Sequence, residues 1–521
     1  MQKNTMRITY SDSHSVAPQS VRRLQPRNFL RTLYTHGCQD AELLWHSRWY
    51  YPAVLLGASF FLFTGWNIAG MLAMILLLEF FRVFCSDLKA GLLPIFLFFL
   101  LGSKYFHELN VLTPWWWLIP VHVICSILHF RLRKKRVRVC GNYKSMIAVS
   151  IALICGGWGY ISLEEYLSLT TLYYAFGLGF MMLGFAFLYA GDIQYGNSHR
   201  NADTYAAILY CMGLFASFVV LNYYLHYRES VEFGISTFGE YPMESGILFM
   251  RPRNYLTTIL VTTLPMAFRF ASKDKRHYAS AVLIYVCSML TGSRSGVLFG
   301  TLVFAACLYL NWMHPLRKGR RRIVLGLAMA LGAVVLIFLI SHTAFRSRLV
   351  NGELIPVTDT RMVWLKRSVE DFLANPLTGI GISNMKNSVI YIGVTGSMVW
   401  YHNYFEQIIG SMGILGILAY SWLLRDRFTL SIKMFRYGEP MLAMTYIGMF
   451  LVSMVQPGEF CPLPNELMII LLFDLMYGVA EQKERLNFKT HSSSLVILPR
   501  SSGKRIRGGA AAVKDPKRES L

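Results

Sequence analysis

Apolar stretches of about 17 to 23 residues recur along almost the whole 521-residue chain, the length an α-helix needs to cross the hydrocarbon core of a bilayer. A backbone inside lipid has to satisfy its own hydrogen bonds, so such stretches fold as helices. Only 15% of the residues are charged, 54% are hydrophobic and the mean hydropathy is +0.40, whereas a soluble domain carries roughly a quarter charged residues. A soluble enzyme is excluded. The expected fold class is an all-α polytopic membrane protein.

About fourteen spans can be drawn, near 51–67, 69–84, 91–104, 114–130, 144–160, 172–190, 205–225, 254–270, 278–291, 296–312, 323–342, 402–424, 440–456 and 465–480. The formal charge of +22 comes from 51 Lys and Arg against 29 Asp and Glu. It sits mostly in short loops beside the spans, such as Arg131 to Arg138 and Arg317 to Arg322. Basic loops of this kind are cytoplasmic retention signals, so nucleic acid is not an expected partner and membrane lipid is. Fourteen spans that start inside place 131–143, 268–277, 314–322, 425–436 and the tail from 482 on the cytoplasmic side, and leave the longest loop, 343–401, exoplasmic. The nine cysteines lie mostly in spans or basic loops, and no disulfide framework is indicated.

The expected organisation is a cytoplasmic N-terminal tail (1–48), an N-terminal transmembrane half (49–245), a core (246–425) that includes the exoplasmic loop, the last transmembrane helices (426–481) and a disordered basic tail (482–521). No secretory signal, internal repeat or dinucleotide or Walker-type glycine motif is present.

Several arginines fall on the outer side against the charge rule: Arg251, Arg253, Arg294, Arg346, Arg348, Arg361 and Arg367. One arginine at a membrane surface can simply snorkel to headgroups, but a set of them beside lipid suits a phosphate or pyrophosphate, because the guanidinium fork matches phosphate oxygens and stays charged. Arg294 stands in Thr291-Gly-Ser-Arg-Ser-Gly296, where small neighbours such as Ser293 would let an anion approach.

In the long loop, Asp359-Thr360-Arg361 precedes apolar Met362, Leu365, Val369 and Phe372 and a stop at Asn375-Pro376. This pattern predicts an amphipathic helix capped near Asp359. It would lie on the membrane and hold Arg361 and Trp364 over a cavity, or else serve as a structural lid.

At the loop's end His402-Asn403 opens a span, with Glu406 one turn on and Gly410, Gly413 and Gly416 thinning the helix. The carboxylate at this spacing can orient the imidazole. An interfacial histidine is also often only a satisfied polar group, and the glycines are equally explained as a packing stripe. Glu79, near Arg82, and Asp474 are ionisable residues inside spans; pairing is the simpler reading of Glu79. No Asp-x-Asp, His-rich cluster or carboxylate pair with metal spacing occurs in the outer loops, so neither a metal nor another cofactor is expected.

These residues resemble the O-antigen ligase and O-antigen polymerase superfamily of bacterial membrane glycosyltransferases. The resemblance rests on His402-Asn403, nine residues, then Gly413-Ile-Leu-Gly416; on Thr291-Gly-Ser-Arg-Ser-Gly296; and on Arg361 and Trp364 followed by Asn375-Pro-Leu-Thr-Gly-Ile-Gly381. It covers roughly residues 245 to 425. It implies a GT-C-like fold in the bacterial inner membrane and a glycan donor linked to undecaprenyl pyrophosphate. The reaction implied is metal-independent, inverting transfer to a glycan or glycolipid acceptor at the periplasmic face. By position it assigns Arg294, Arg361 and Arg253 to the pyrophosphate and His402 to the acceptor hydroxyl, with Ser293 and Asn403 beside the substrate and Glu406, Gly413 and Gly416 in support. Ligase and polymerase differ mainly in acceptor. From other classes, a secondary transporter of a small anion would also gather arginines but should show two related halves with broken spans, and a flippase would want charge along a central cavity.

Overall fold

A computed structural model describes residues 26–102, 117–133, 143–156, 169–184, 187, 198–226, 253–291, 293–313, 326, 328–330, 332–333, 354–382, 401, 403–456, 465 and 467–494. Among them the chain is all-helical, with no strand. Among the described residues, four helices are long and apolar enough to cross a membrane: Asn67–Phe84, Ala202–Leu225, Ser295–Met313 and Tyr404–Arg436. Shorter apolar helices fill the places of most other expected spans. Of 323–342 only short helical pieces are described, and His402 and the loop residues 343–353 and 383–400 lie outside the described residues.

The N-terminal tail contributes α1 (Pro26–His46), which lies against the end of α3 (Asn67–Phe84). Gly37 of α1 leaves room for the Phe84 ring, and Glu42 accepts hydrogen bonds from the Ser86 backbone N–H at 2.7 Å and its hydroxyl at 2.5 Å. Gly65, left-handed at φ 76°, ends α2 (Tyr50–Thr64) and turns the chain into α3. Helices α4 (Leu92–Leu101) and α5 (Leu118–Arg133) pack on α3. Between α3 and α5, Glu79 is paired as expected with Arg82, at 3.8 Å, and also meets His122 at 2.7 Å. Helices α6 (Tyr143–Gly156) and α7 (Leu169–Gly184) form the next pair.

The C-terminal bundle is built around α9 (Arg253–Ala271), which touches α8 (Ser198–His226), α10 (His277–Leu290), α11 (Arg294–Met313) and α14 (Pro440–Ser453). Small residues set these contacts. A Cβ on Gly213 of α8 would come 2.4 Å from the Thr263 hydroxyl. On Gly448 of α14 it would stand 3.1 Å from the Val261 carbonyl, whose helical partner would be the N–H that Pro265 lacks.

One end of this bundle is closed by charge: Arg269 bonds Asp203 at 2.7 Å and Glu439 at 3.1 Å, and Lys273 bonds Asp203 at 2.7 Å. The final helix, α15 (Leu467–Ser494), meets α13 (Tyr404–Arg436) at the same end through Glu484, which receives Lys433 at 3.1 Å and the Tyr437 hydroxyl at 3.0 Å. Of the tail expected to be disordered from 482, only residues 482–494 are described. Residues 482–494 continue α15, supported by Arg485–Glu481 one turn apart and by the contacts of Glu484.

The long-loop helix, α12 (Leu354–Ala374), ends where the Asn375-Pro376 stop predicts. Its start differs. The helix begins at Leu354, with Pro356 in its first turn where a missing N–H costs nothing, so Asp359 lies inside it and is not the cap.

Candidate functional site

Opposite the charged end, the ends of α9, α10, α11, α13 and α14 meet in a buried network of hydroxyls and amides. Thr291 donates to the Ser288 carbonyl and shares a 2.7 Å hydrogen bond with Thr257. The Ser293 hydroxyl donates to Asn254 Oδ1 at 3.0 Å and lies 2.8 Å from the Ser295 hydroxyl. Gln456, just past α14, donates to Ser295 at 2.5 Å and accepts from Thr258 at 3.4 Å. A Cβ on Gly296 would stand 2.6 Å from the Ser288 carbonyl and 2.9 Å from Thr257. Gly296 and the hydroxyls of Thr291, Ser293 and Ser295 thus make helix contacts inside the bundle. Their effect is to fix the first turn of α11. Arg294 and Arg253 each open a helix there, and their side chains lie outside the described residues, as does that of Arg361 within α12.

The second part of the site is a break in α13. Gly413 adopts φ 58° and ψ −150°, so the helix runs as two pieces. The turn 375–381 fills the gap: Ile380 and Gly381 donate to the Gly410 and Ser411 carbonyls at 3.0 and 2.9 Å, while Ile414 and Leu415 donate to the Pro376 and Leu377 carbonyls at 2.8 and 3.2 Å. Backbone groups freed by the break are thereby bonded, as a helix interrupted within a membrane protein requires. Only glycine fits: a Cβ on Gly413 would lie 2.5 Å from the Pro376 carbonyl, and one on Gly379, itself at φ 68°, 2.3 Å from the Met412 nitrogen. Close packing of a continuous helix is therefore the wrong account of Gly413. Gly410 accommodates the Tyr401 ring, and a Cβ on Gly416 would meet Met412 of its own helix at 2.3 Å.

The residues on either side of His402 are anchored. The Asn403 side chain caps α13 by accepting from the Phe405 N–H at 2.8 Å, and it donates to the Met454 carbonyl at the end of α14 at 2.9 Å. The Tyr401 N–H donates to Gln407 at 2.9 Å, and its phenol donates to the buried carboxylate of Asp371 on α12. Arg367 pairs with the other Asp371 oxygen at 2.9 Å. Burial pushes the Asp371 carboxyl above its ordinary value, against the pull of the Tyr401 and Arg367 hydrogen bonds. Glu406 is buried in the first turn of α13; whether it meets His402 falls outside the described residues.

Trp364 is packed against Tyr401 at 1% exposure. The polar side of α12, with Ser368 and Asp371, faces inward, while Leu365, Val369 and Leu373 are exposed. Sequence reading missed Asn254, Asp371, Tyr401, Gln407 and Gln456. The first hint was available for Tyr401, by adjacency to His402; the others are single polar residues whose partners lie 30 to 198 positions away or, for Gln407, on a neighbouring turn.

A helical integral membrane protein with a polar site built at one end of its bundle, around an interrupted helix, is the class these features define. Residues 279–421 match the family model described as O-antigen ligase, a segment running from α10 through the break in α13. This places that segment, and the greater part of the site, in the O-antigen ligase and polymerase superfamily, whose members are membrane glycosyltransferase-like enzymes of polysaccharide biosynthesis. The family implies a lipid-linked glycan donor and a glycan acceptor. No curated protein matches the chain significantly.

Proposed function

We propose that the protein transfers a glycan from undecaprenyl pyrophosphate to an acceptor, lipopolysaccharide core or another surface glycan, at the periplasmic face of the bacterial inner membrane. Ligase activity is favoured slightly over polymerisation. The observation that carries the reading is the end of α14: Met454 binds Asn403, the neighbour of His402, while Gln456, two residues on, binds Ser295, the neighbour of Arg294. The two sequence motifs, more than a hundred residues apart, are thus tied to one short segment.

In this reading the acceptor oxygen attacks the anomeric carbon as the bond to the pyrophosphate oxygen breaks. His402 takes the acceptor proton, and Arg294 and Arg361, with Arg253, stabilise the charge gathering on the departing pyrophosphate. Ser293 acts by holding the α11 turn, Asn403 by fixing the start of α13, and Glu406 by orienting His402. The reading needs no metal and no cofactor. Anion transport draws support from the interrupted helix, a feature of transporters, but the Gly410 and Ser411 carbonyls and the Ile414 and Leu415 N–H groups beside the break are taken by the 376–381 turn.

His402→Ala should lower transfer on the order of 10²–10⁴-fold with protein level little changed, and Arg294→Lys and Arg361→Lys should impair donor use because lysine lacks the bidentate fork. Normal transfer by all three variants at equal protein level would overturn the reading. In a deletion strain, accumulated lipid-linked polymer indicates a ligase, single unpolymerised repeats a polymerase, and an unchanged glycan profile transport.

A further inference from the structure

Tyr401 is buried, yet it is a tyrosine where a phenylalanine would fill the same space. Its ring sits against Trp364 and over Gly410, and its hydroxyl donates to Asp371 thirty residues earlier in the chain. Asp371 is itself buried and is paired to Arg367 at 2.9 Å. A carboxylate taken out of water is costly unless it is paired and hydrogen-bonded, so this cluster holds one arrangement of α12 against the start of α13. The same α12 carries Arg361. On the other side, Asn403 is fixed to α13 and α14. Residue 402 is one peptide unit, about 3.8 Å between Cα atoms, from each of these two anchors.

We infer that Tyr401 and Asp371 are positioning residues for the transfer reaction, a hydrogen-bonded pair that sets His402 relative to the arginine-bearing helix α12. The inference rests on the base role proposed for His402. The break at Gly413 supplies the rigid seat: the 375–381 turn fastens α12 to α13 through four backbone hydrogen bonds, and the Tyr401–Asp371 bond fastens the chain just before His402 to that same unit. Removing the phenol oxygen leaves the ring packing and the turn in place and loosens only the segment that bears the base.

The test uses the full-length protein in nanodiscs, with undecaprenyl-pyrophosphate-linked glycan extracted from a strain lacking the protein as donor and lipopolysaccharide core as acceptor. Tyr401→Phe and Asp371→Asn should each reduce turnover by about 10- to 100-fold, the cost of a small misplacement of a reacting group, with the donor KM within about twofold of wild type. The double variant should be no worse than the poorer single one, since Tyr401→Phe removes and Asp371→Asn, by taking the charge off the acceptor, weakens the same hydrogen bond. Should Tyr401→Phe accumulate poorly, Asp371→Asn, which changes charge but not size, reads the same quantity. Wild-type turnover per folded molecule in both single variants, multiplying losses in the double variant, or a loss confined to melting temperature each overturns the positioning role. His402→Ala is assayed in parallel. If it keeps wild-type turnover, the base role itself fails; if it loses turnover while the two conservative variants do not, only the positioning role fails.

Discussion

The two ends of the C-terminal bundle are fastened by different chemistry. At one end Arg269 and Lys273 are matched to Asp203 and Glu439, and Lys433 to Glu484. At the other end the hydrogen bonds tying α9, α11, α13 and α14 together run between neutral hydroxyls, amides and backbone groups. Some helices reach both ends; α9 carries Arg269 in its last turn and Asn254 in its first. The difference teaches how a membrane protein can be held at both ends by different means, and it bears on the proposal that only one end binds an anion. Carboxylates that neutralise a basic cluster stabilise a fold, but they also cancel the positive potential a pyrophosphate needs. Neutral donors and acceptors hold the helix ends without that cancellation, which suits the end where Arg253 and Arg294 begin their helices.

The largest effect that would separate the two ends belongs to backbone geometry. Gly413→Ala forces a side chain onto a left-handed residue and drives its Cβ to 2.5 Å from the Pro376 carbonyl. The expected cost is about 3 kcal/mol or more, so the variant should accumulate poorly and melt well below wild type. Normal abundance and melting would mean that the turn is not seated in the break.

Arg269→Ala tests the charged end. It leaves Glu439 and part of Asp203 without their partner, and because both carboxylates are partly exposed the expected loss is about 1–3 kcal/mol. Thermal unfolding in detergent should register it, while transfer per folded molecule stays near wild type. A selective loss of transfer would collapse the distinction between the two ends.

Gln456→Leu should have the smallest effect on stability and the opposite signature. Two hydrogen bonds to neutral hydroxyls are lost, about 1–2 kcal/mol, yet the α11 turn behind Arg294 is released, so donor KM should rise several-fold. Unchanged donor KM with a lowered melting temperature would reduce Gln456 to a structural tie.

The sequence alone determined the all-helical membrane character, because spans are a matter of length and local hydropathy and each is legible in isolation. It also singled out Thr291–Gly296, Asn375–Gly381 and the His402-Asn403 segment, since glycine, proline and out-of-place arginine stand out in an apolar background. Several features were beyond it. The pairing of Glu79 with His122 and the support of α15 beyond 482 depend on neighbours contributed by other helices. Glycines at 410, 413 and 416 look like a helix-packing stripe in one dimension. Only the tertiary structure decided that Gly413 is a break, because its backbone angle is imposed by the turn 375–381, some thirty residues earlier, which exchanges hydrogen bonds with it. The same holds for Asp371 and Tyr401: each is an ordinary polar residue in the chain, and its meaning comes from a partner that folding, not sequence spacing, brings to it.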